Sequence, residues 1–507
     1  MRAADEVAAL TGWNADWADL RVAVLGLGVT GFSVADTLAE LRAEVLVLAE
    51  RPDPDRADLL DVIGVGLSTE NLGSALEAFA PELVIVSPGF APTHPLVVLA
   101  GSLGAPVWGD VELAWRLRDK TPSAVTGQPA EWIAITGTNG KTTTTQLTTA
   151  MLVAGGARAI ACGNVGIPVL DAIRDPVGFD VLVVELSSFQ LHYLDSLSAW
   201  ASVCLNVADD HLDWHGSADA YRAAKARVYQ NTKIACVYNL EDDATREFVE
   251  QAEVVDGCRA IGFGLGLPGP SDVGLVDEIL VDRAFLPERW SSALELTTVD
   301  ELRLVGLDSP HMVANVLAAA ALARSIGVEP GDIRSALAGF RMDHHRTEVI
   351  AESGGIRWVN DSKATNPHAT EAALSSFDRV VWIVGGLLKG VDVSELVVRN
   401  APRLRAAVII GLNRQVIVEA FARHAPDVPV FEVDAIDTKE VMPMAVRLAA
   451  AVALDGDTVL LAPAAASMDQ FSDYADRGNR FATAVHDMLG DTGNDHEPPS
   501  AEAGPQA

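Results

Sequence analysis

Lys141 and Thr142 stand directly after the glycine turn Gly137-Thr138-Asn139-Gly140, with Thr143 next in line. Two glycines, a lysine and a hydroxyl at this spacing suit a polyphosphate. The glycines let backbone N–H groups approach the oxygens, the lysine supplies a full positive charge, and the threonine hydroxyl can sit on Mg²⁺. The spacing is Gly-x-x-Gly-Lys-Thr, and Ile135 occupies the position where the strict phosphate-loop pattern carries a glycine. Glu185 closes the apolar run VLVVE. A carboxylate at the carboxyl end of a parallel strand, beside a phosphate loop, is where Mg²⁺ is held. Asp209, Asp210, His211 and Asp213 follow the next apolar run and bring carboxylates and an imidazole to the same edge. The imidazole is read as a metal ligand because of that acidic company. Lys225, among small residues in YRAAKAR, reads from spacing alone as a solvated helix lysine.

Two further groups of residues belong to other parts of the chain. Near the start, Gly26, Gly28 and Gly31 form Gly-x-Gly-x-x-Gly after the run VAVL, and Glu50 ends the following strand-like segment. These glycines recognise a diphosphate at a helix N-terminus, and the motif speaks for a diphosphate in general more strongly than for NAD in particular. Near the end, Asp361-Ser362-Lys363-Ala364-Thr365, Gly385-Gly386-Leu387-Leu388-Lys389 and Ala466-Ser467-Met468-Asp469 each follow an apolar strand-like run. Their lysines and hydroxyls suit an anionic carboxylate or phosphate.

Such residues must be placed by alternating strands and helices. Near-continuous apolar runs at residues 21–25, 44–49, 83–87, 181–185, 202–206, 234–239, 380–384, 407–410 and 458–461, with helical segments between, predict an α/β protein with largely parallel sheets. Three domains are expected: a Rossmann-like domain over 1–108, a central P-loop-type ATPase domain over 109–342 and a Rossmann-like C-terminal domain over 343–490. Residues 119–131 read as a surface loop, 255–305 as irregular or short β pieces, and 491–507 as a disordered tail. A hinge is expected about residues 340–346.

Of the 507 residues 49% are hydrophobic and 21% charged, enough for sizeable cores, and the formal net charge is −33. That charge argues against nucleic acid or an anionic membrane as partner. Cys162, Cys204, Cys236 and Cys258 lack C-x-x-C spacing and read as reduced core thiols. The acidic start MRAADEVAAL has no apolar signal region and no segment is long enough to span a bilayer, so a cytoplasmic protein is expected.

TGTNGKTTT, ELSSFQL, NVADDHLDWHG, YRAAKARVY, HMVAN, RMDHHR, NDSKATN and ASMDQF occur in this order over most of the chain. The set resembles the Mur ligases, ATP-dependent amide-forming enzymes of peptidoglycan precursor synthesis. GLGVTG with NDSKATN and SMDQF looks like the branch that adds D-glutamate to UDP-N-acetylmuramoyl-L-alanine. The resemblance implies ATP and two Mg²⁺ ions. ATP would be held by Gly137, Thr138, Asn139, Gly140, Lys141, Thr142 and Thr143, with Asn315, Arg346 and Asp361. The catalytic and metal residues would be Lys141, Thr142, Glu185, His211 and Lys225, the last as a carbamylated lysine. Gly28, Val29, Thr30, Arg51 and Asn164 would contact the UDP-sugar; Lys363, Thr365, Lys389, Ser467 and Tyr474 would surround D-glutamate. Three departures from the family pattern are Met312 in HMVAN, Leu387-Leu388 before Lys389, and Ala49-Glu50-Arg51 after the second strand. The alternatives are another Mur-type or folylpolyglutamate-type ligase. An NAD-dependent oxidoreductase would leave the phosphate loop and NDSKATN unexplained. The chain is expected to act as a monomer on small molecules.

Overall fold

The computed structural model describes residues 2–341, 345–435 and 437–492, with residues 491 and 492 described by backbone alone. Residues 342–344 of RMDHHR and of the expected hinge, and 493–507 of the expected tail, lie outside them. Among the described residues, those of 1–208 and 214–341 make one compact unit, and those of 209–213 and 342–507 a second.

The first unit holds two sheets. Strands β1 (Arg21–Leu25), β2 (Glu44–Leu48), β3 (Gly66–Ser68), β4 (Leu83–Val86) and β5 (Val107–Gly109) run in the order β3-β2-β1-β4-β5. All neighbours are parallel. From β1 the sheet grows one way through β2 and β3 and the other way through β4 and β5, and a crevice forms at such a switch point beyond the strands' carboxyl ends. The second sheet comprises β6 (Glu131–Thr136), β7 (Ala159–Gly163), β8 (Val181–Glu185), β9 (Ala201–Cys204), β10 (Ala235–Asn239), β11 (Arg259–Phe263), β12 (Asp272–Val276), β13 (Ile279–Asp282) and β14 (Leu294–Thr298). Its order is β14-β13-β12-β11-β10-β9-β6-β8-β7. It is parallel from β7 to β12, and β12-β13-β14 extend it antiparallel. Residues 255–305 therefore hold four short strands, β11 to β14, separated by turns and followed by the short helix Val299–Arg303. The β12–β13 turn uses Asp277 at φ 53°, which an aspartate tolerates well.

One apolar core runs through both sheets, from Val24 and Leu38 to Trp115, Trp132 and Leu182. Trp115 and Trp132 meet edge to face at 5.1 Å inside it. The second unit has one sheet: β15 (Glu348–Ser353), β16 (Ile356–Asn360), β17 (Val380–Gly385), β18 (Leu404–Ile410), β19 (Val430–Glu432) and β20 (Thr458–Leu461), in the order β15-β16-β20-β17-β18-β19. Only β15 is antiparallel to its neighbour. Alternation along β17 feeds two cores: Val380, Trp382 and Val384 on one face, Val381 and Ile383 on the other.

Candidate functional site

β6 ends at Thr136, and the chain turns through Gly137 at φ 154° and Gly140 at φ 82° into the helix Lys141–Ala154. Both glycines are required. A Cβ on Gly137 would lie 2.9 Å from Leu205 Cβ, and one on Gly140 would lie 2.4 Å from Asn315 Oδ1. No side chain caps the helix N-terminus, so its first N–H groups face the turn as an anion cradle.

The turn is latched from the next strand. The Asn139 N–H donates to Asn206 Oδ1 at 2.8 Å, and Asn206 Nδ2 donates back to the Asn139 carbonyl at 3.2 Å. Thr138 Oγ1 lies 2.8 Å from the Tyr221 hydroxyl and accepts from the Ala208 N–H at 2.9 Å. Lys141 Nζ donates to the carbonyls of Gly137 at 2.8 Å and Thr138 at 2.9 Å. Lys225 is 1% exposed, and its Nζ donates to the same Gly137 carbonyl at 2.7 Å. Spacing made Lys225 a solvated lysine; the structure corrects this. Alanines around it, with Ala224 itself buried, let the helix Ala218–Ala226 pack closely enough to bury the stem.

Glu185 is buried at the end of β8, adjacent to Ile135 on β6. Its Oε1 accepts from Asn164 Nδ2 at 2.8 Å, and its Oε2 is buried with no hydrogen-bond partner. A buried carboxylate oxygen left unmatched is costly unless a cation joins it. Asn164 thus sits on Glu185 rather than with the other expected UDP-sugar residues. Thr142 and Thr143 are buried in the first helical turn, and Asn315 packs on Gly140 with Nδ2 3.9 Å from Met312 Sδ. The sulfur of Met312 thereby neighbours the asparagine that remains of the family pattern.

In the first sheet, Gly28 precedes the helix Val29–Glu40 with no side-chain cap, leaving Val29 57% exposed beside Thr30. A Cβ on Gly31 would come within 2.1 Å of the Gly26 carbonyl oxygen, and one on Gly26 within 2.9 Å of Ser87 Oγ. The two loops at the switch point can close only on glycine. Arg51 is exposed just beyond β2.

In the second unit, His211 has φ 53° and Nε2 3.5 Å from Asp210 Oδ2. Asp210 Oδ1 accepts from Lys389 Nζ at 2.5 Å, both side chains being under 10% exposed. Lys389, itself at φ 55°, therefore has a carboxylate partner. Three loops meet at the ends of β16, β20 and β17. The Ala464 N–H donates to the Ala364 carbonyl at 3.0 Å, and Leu387 and Ala466 exchange backbone bonds of 2.9 Å. Arg477, fully buried, ties two of them together through Ser362 Oγ at 3.0 Å, the Ser362 carbonyl at 2.8 Å and the Ala465 carbonyl at 3.1 Å. Burial pulls its pKa down to about 9. Lys363 Nζ lies 4.9 Å over the Tyr474 ring, Thr365 is half-buried and Ser467 is buried. Burial raises the Asp361 carboxyl to about 6, against the Thr347 N–H and the positive charge of Arg346, which lower it. His345 locks the same corner: its carbonyl accepts from the Lys363 N–H at 3.2 Å and its Nδ1 lies 2.9 Å from Asn360 Nδ2. Sequence reasoning did not single out Asn206, Tyr221, His345 or Arg477. The first three lie inside quoted motifs, but nothing in their spacing shows which loop they bind.

Three profiles match in order: the MurD-like N-terminal domain of Mur ligases over residues 20–109, the Mur ligase middle domain over 135–323, and the Mur ligase glutamate ligase domain over 345–465. The chain belongs to the Mur ligase family. A relative in Leifsonia xyli, named UDP-N-acetylmuramoylalanine–D-glutamate ligase, is 62% identical over 506 residues, 98% of each chain. A relative of the same name in Streptomyces coelicolor is 49% identical over 92% of this chain and 98% of its own. Among solved structures, the UDP-N-acetylmuramate–alanine ligase of Thermotoga maritima superposes with a TM-score of 0.55 at 18% identity, covering 92% of this chain and all of its own. The pseudomurein peptide ligase type C of Methanothermus fervidus gives 0.56 at 16% identity with the same coverage. These two show a shared fold.

In this Mur ligase the residues of the first unit fit ATP with a cation. The cradle tolerates no Cβ at Gly137 or Gly140, and Glu185 Oε2 awaits a positive partner. Among the described residues no three His, Cys, Asp or Glu side chains converge as a metal cluster. No described helix is long and apolar enough to cross a membrane.

Proposed function

We propose that the chain is an ATP-dependent ligase that joins D-glutamate to UDP-N-acetylmuramoyl-L-alanine, acting as a cytoplasmic monomer in the synthesis of peptidoglycan precursors. The observation that carries this reading is the glycine cradle of Gly137 and Gly140 beside the buried, half-matched Glu185. The names of relatives up to 62% identical support the substrates.

The reaction has two steps. The alanyl carboxylate attacks the γ-phosphorus of ATP in line, breaking the bond to ADP and giving an acyl phosphate. The neutral amine of D-glutamate then attacks the acyl carbon, loses a proton, and phosphate leaves from the tetrahedral intermediate. Lys141 neutralises charge growing on the transferred group, and the loop N–H groups hold the phosphates in line. Glu185 with Thr142, and separately His211, would hold two Mg²⁺ ions, which supply further charge neutralisation when bound. Lys225 fits carbamylation: CO₂ added to its neutral amine would place a carboxylate beside the phosphate turn. Gly28, Val29, Thr30 and Arg51 are assigned to the UDP end and Asn164 to the muramoyl-alanine end. Lys363, Thr365, Lys389, Ser467 and Tyr474 are assigned to D-glutamate, Asn315, Arg346 and Asp361 to the nucleotide.

Incubating the protein with ATP, Mg²⁺, UDP-N-acetylmuramoyl-L-alanine and a panel of single amino acids tests the reading. Phosphate release is expected with D-glutamate alone. Turnover with L-lysine or diaminopimelate but not D-glutamate would overturn it.

A further inference from the structure

The first unit contains a cavity of about 740 Å³ between the β13–β14 connection and the end of the helix Pro310–Ser325. Its lining includes Arg259, Arg289, Arg324, Phe285 and Trp290, with Glu329 as its carboxylate. In a chain of net charge −33 this concentration of arginine is unusual. Arg324 is already matched: Nε binds the buried Asp282 at 2.9 Å, Nη1 binds the Val328 carbonyl at 2.6 Å, and Glu329 lies 3.7 Å away. Arg259 and Arg289 are not. Among the described residues neither has a carboxylate within 4.0 Å; burial and then the charge of Arg289 pull down the pKa of Arg259, against the charge of Asp282, which raises it. Two like charges lining one cavity repel until an anion joins them.

The rest of the cavity is prepared for a ring. Trp290 is 75% exposed, an unusual position for an indole, and the Arg289 guanidinium lies 5.8 Å from its ring centroid. The loop that carries it is held rigid: Arg283 donates to the carbonyls of Pro268 at 2.9 Å, Arg289 at 3.2 Å and Trp290 at 3.4 Å. Arg259 is likewise fixed, donating to the Ala284 carbonyl at 2.7 Å with its guanidinium 5.6 Å from the Phe285 ring. Preset cations and a preset aromatic face lose little freedom on binding.

We propose that this cavity binds a nucleotide, with the phosphates between Arg259 and Arg289 and the base on Trp290. A pair of guanidiniums matches the double charge of a phosphate better than a single carboxylate, and an exposed indole stacks a planar base of any identity. The site is separate from the cradle at Gly137 and Gly140, and binds without catalysing.

Calorimetric titration of the full-length protein with ADP tests this. Lys141→Ala should remove the cradle site and leave a second one. Arg289→Ala and Trp290→Ala should leave the cradle site and weaken the second at least about tenfold, the effect of losing one charge-assisted hydrogen bond or one stacked base. Arg289 and Trp290 lie on a surface turn, so an unchanged melting temperature is expected in both variants. Pyrophosphate and adenosine, offered separately, should each bind more weakly than ADP. A single ADP site abolished by Lys141→Ala would overturn the proposal, as would a second site indifferent to both cavity variants. Pyrophosphate binding as tightly as ADP would overturn its nucleotide character.

Discussion

The Gly137 carbonyl accepts from both Lys141 and Lys225, so two cations meet at one backbone oxygen. If Lys225 works as a carbamate, Lys225→Ala should lose nearly all ligase activity and regain part of it in millimolar acetate or formate; an assay showing no rescue with unchanged Mg²⁺ dependence would count against the carbamate. Gly140→Ala places a methyl 2.4 Å from Asn315 Oδ1 at φ 82°. Strain of roughly 1–2 kcal/mol plus the clash should raise the KM for ATP at least tenfold while the KM for D-glutamate stays put. Asp110 offers a test by pH. Burial raises its carboxyl from 3.8 to about 6, against bonds from Gln190 and the backbone, and its Oδ1 has no partner. The fold holds the proton more tightly than the unfolded chain, so the wild type loses stability as pH rises from 3.8 through about 6. Asp110→Asn escapes that loss. It should be more stable than wild type above pH 7 and melt higher, by about 3 kcal/mol of unfolding free energy at most from 1.4 kcal/mol per unit, with the gap closing toward pH 4. Parallel melting curves across pH would refute this.

At the scale of elements, strands buried on both faces announced themselves. VAVL, VLVVE and VVWIV are continuous apolar runs, and the structure places β1, β8 and β17 on them. The edge strands β3 and β7 carry mostly half-buried residues: β3 has one apolar side chain, Leu67, and β7 is apolar but rich in alanine, which strands disfavour. The antiparallel β12-β13-β14 extension hides for another reason: its turns are dense in Gly, Pro and Asp, and its pairing is set by hairpins rather than by composition. The phosphate turn was legible because glycine and lysine spacing is local. Arg477 was not, because its partners Ser362 and Ala465 lie 115 and 12 residues away. Removing it strands two carbonyls and opens a cavity. Arg477→Ala should therefore cost on the order of 3 kcal/mol in thermal unfolding and raise the KM for D-glutamate more than that for ATP. Arg477→Lys should recover part of both; equal KM values in all three proteins would make Arg477 merely structural.

At the scale of the molecule, the described residues form three sheets but two compact units, because a single core joins the first two sheets through residues such as Trp115 and Trp132. The sequence offered three successive α/β domains and no sign of which cores would fuse. Nor did it show that residues 209–213 side with the C-terminal unit. There Asp210 faces Lys389, with both side chains under 10% exposed. Asp210→Ala would leave a buried ammonium without its carboxylate, and should lower the stability of that unit by about 3–5 kcal/mol. Limited proteolysis should then cut within 345–492 faster than in wild type.

That borrowed segment bears on how such chains can be recombined. A graft that exchanges everything after residue 341 for the equivalent stretch of a distant relative leaves the new lysine facing an old loop. Crossovers that carry the five residues along preserve the pair, so inheritance here works in two non-adjacent pieces rather than one.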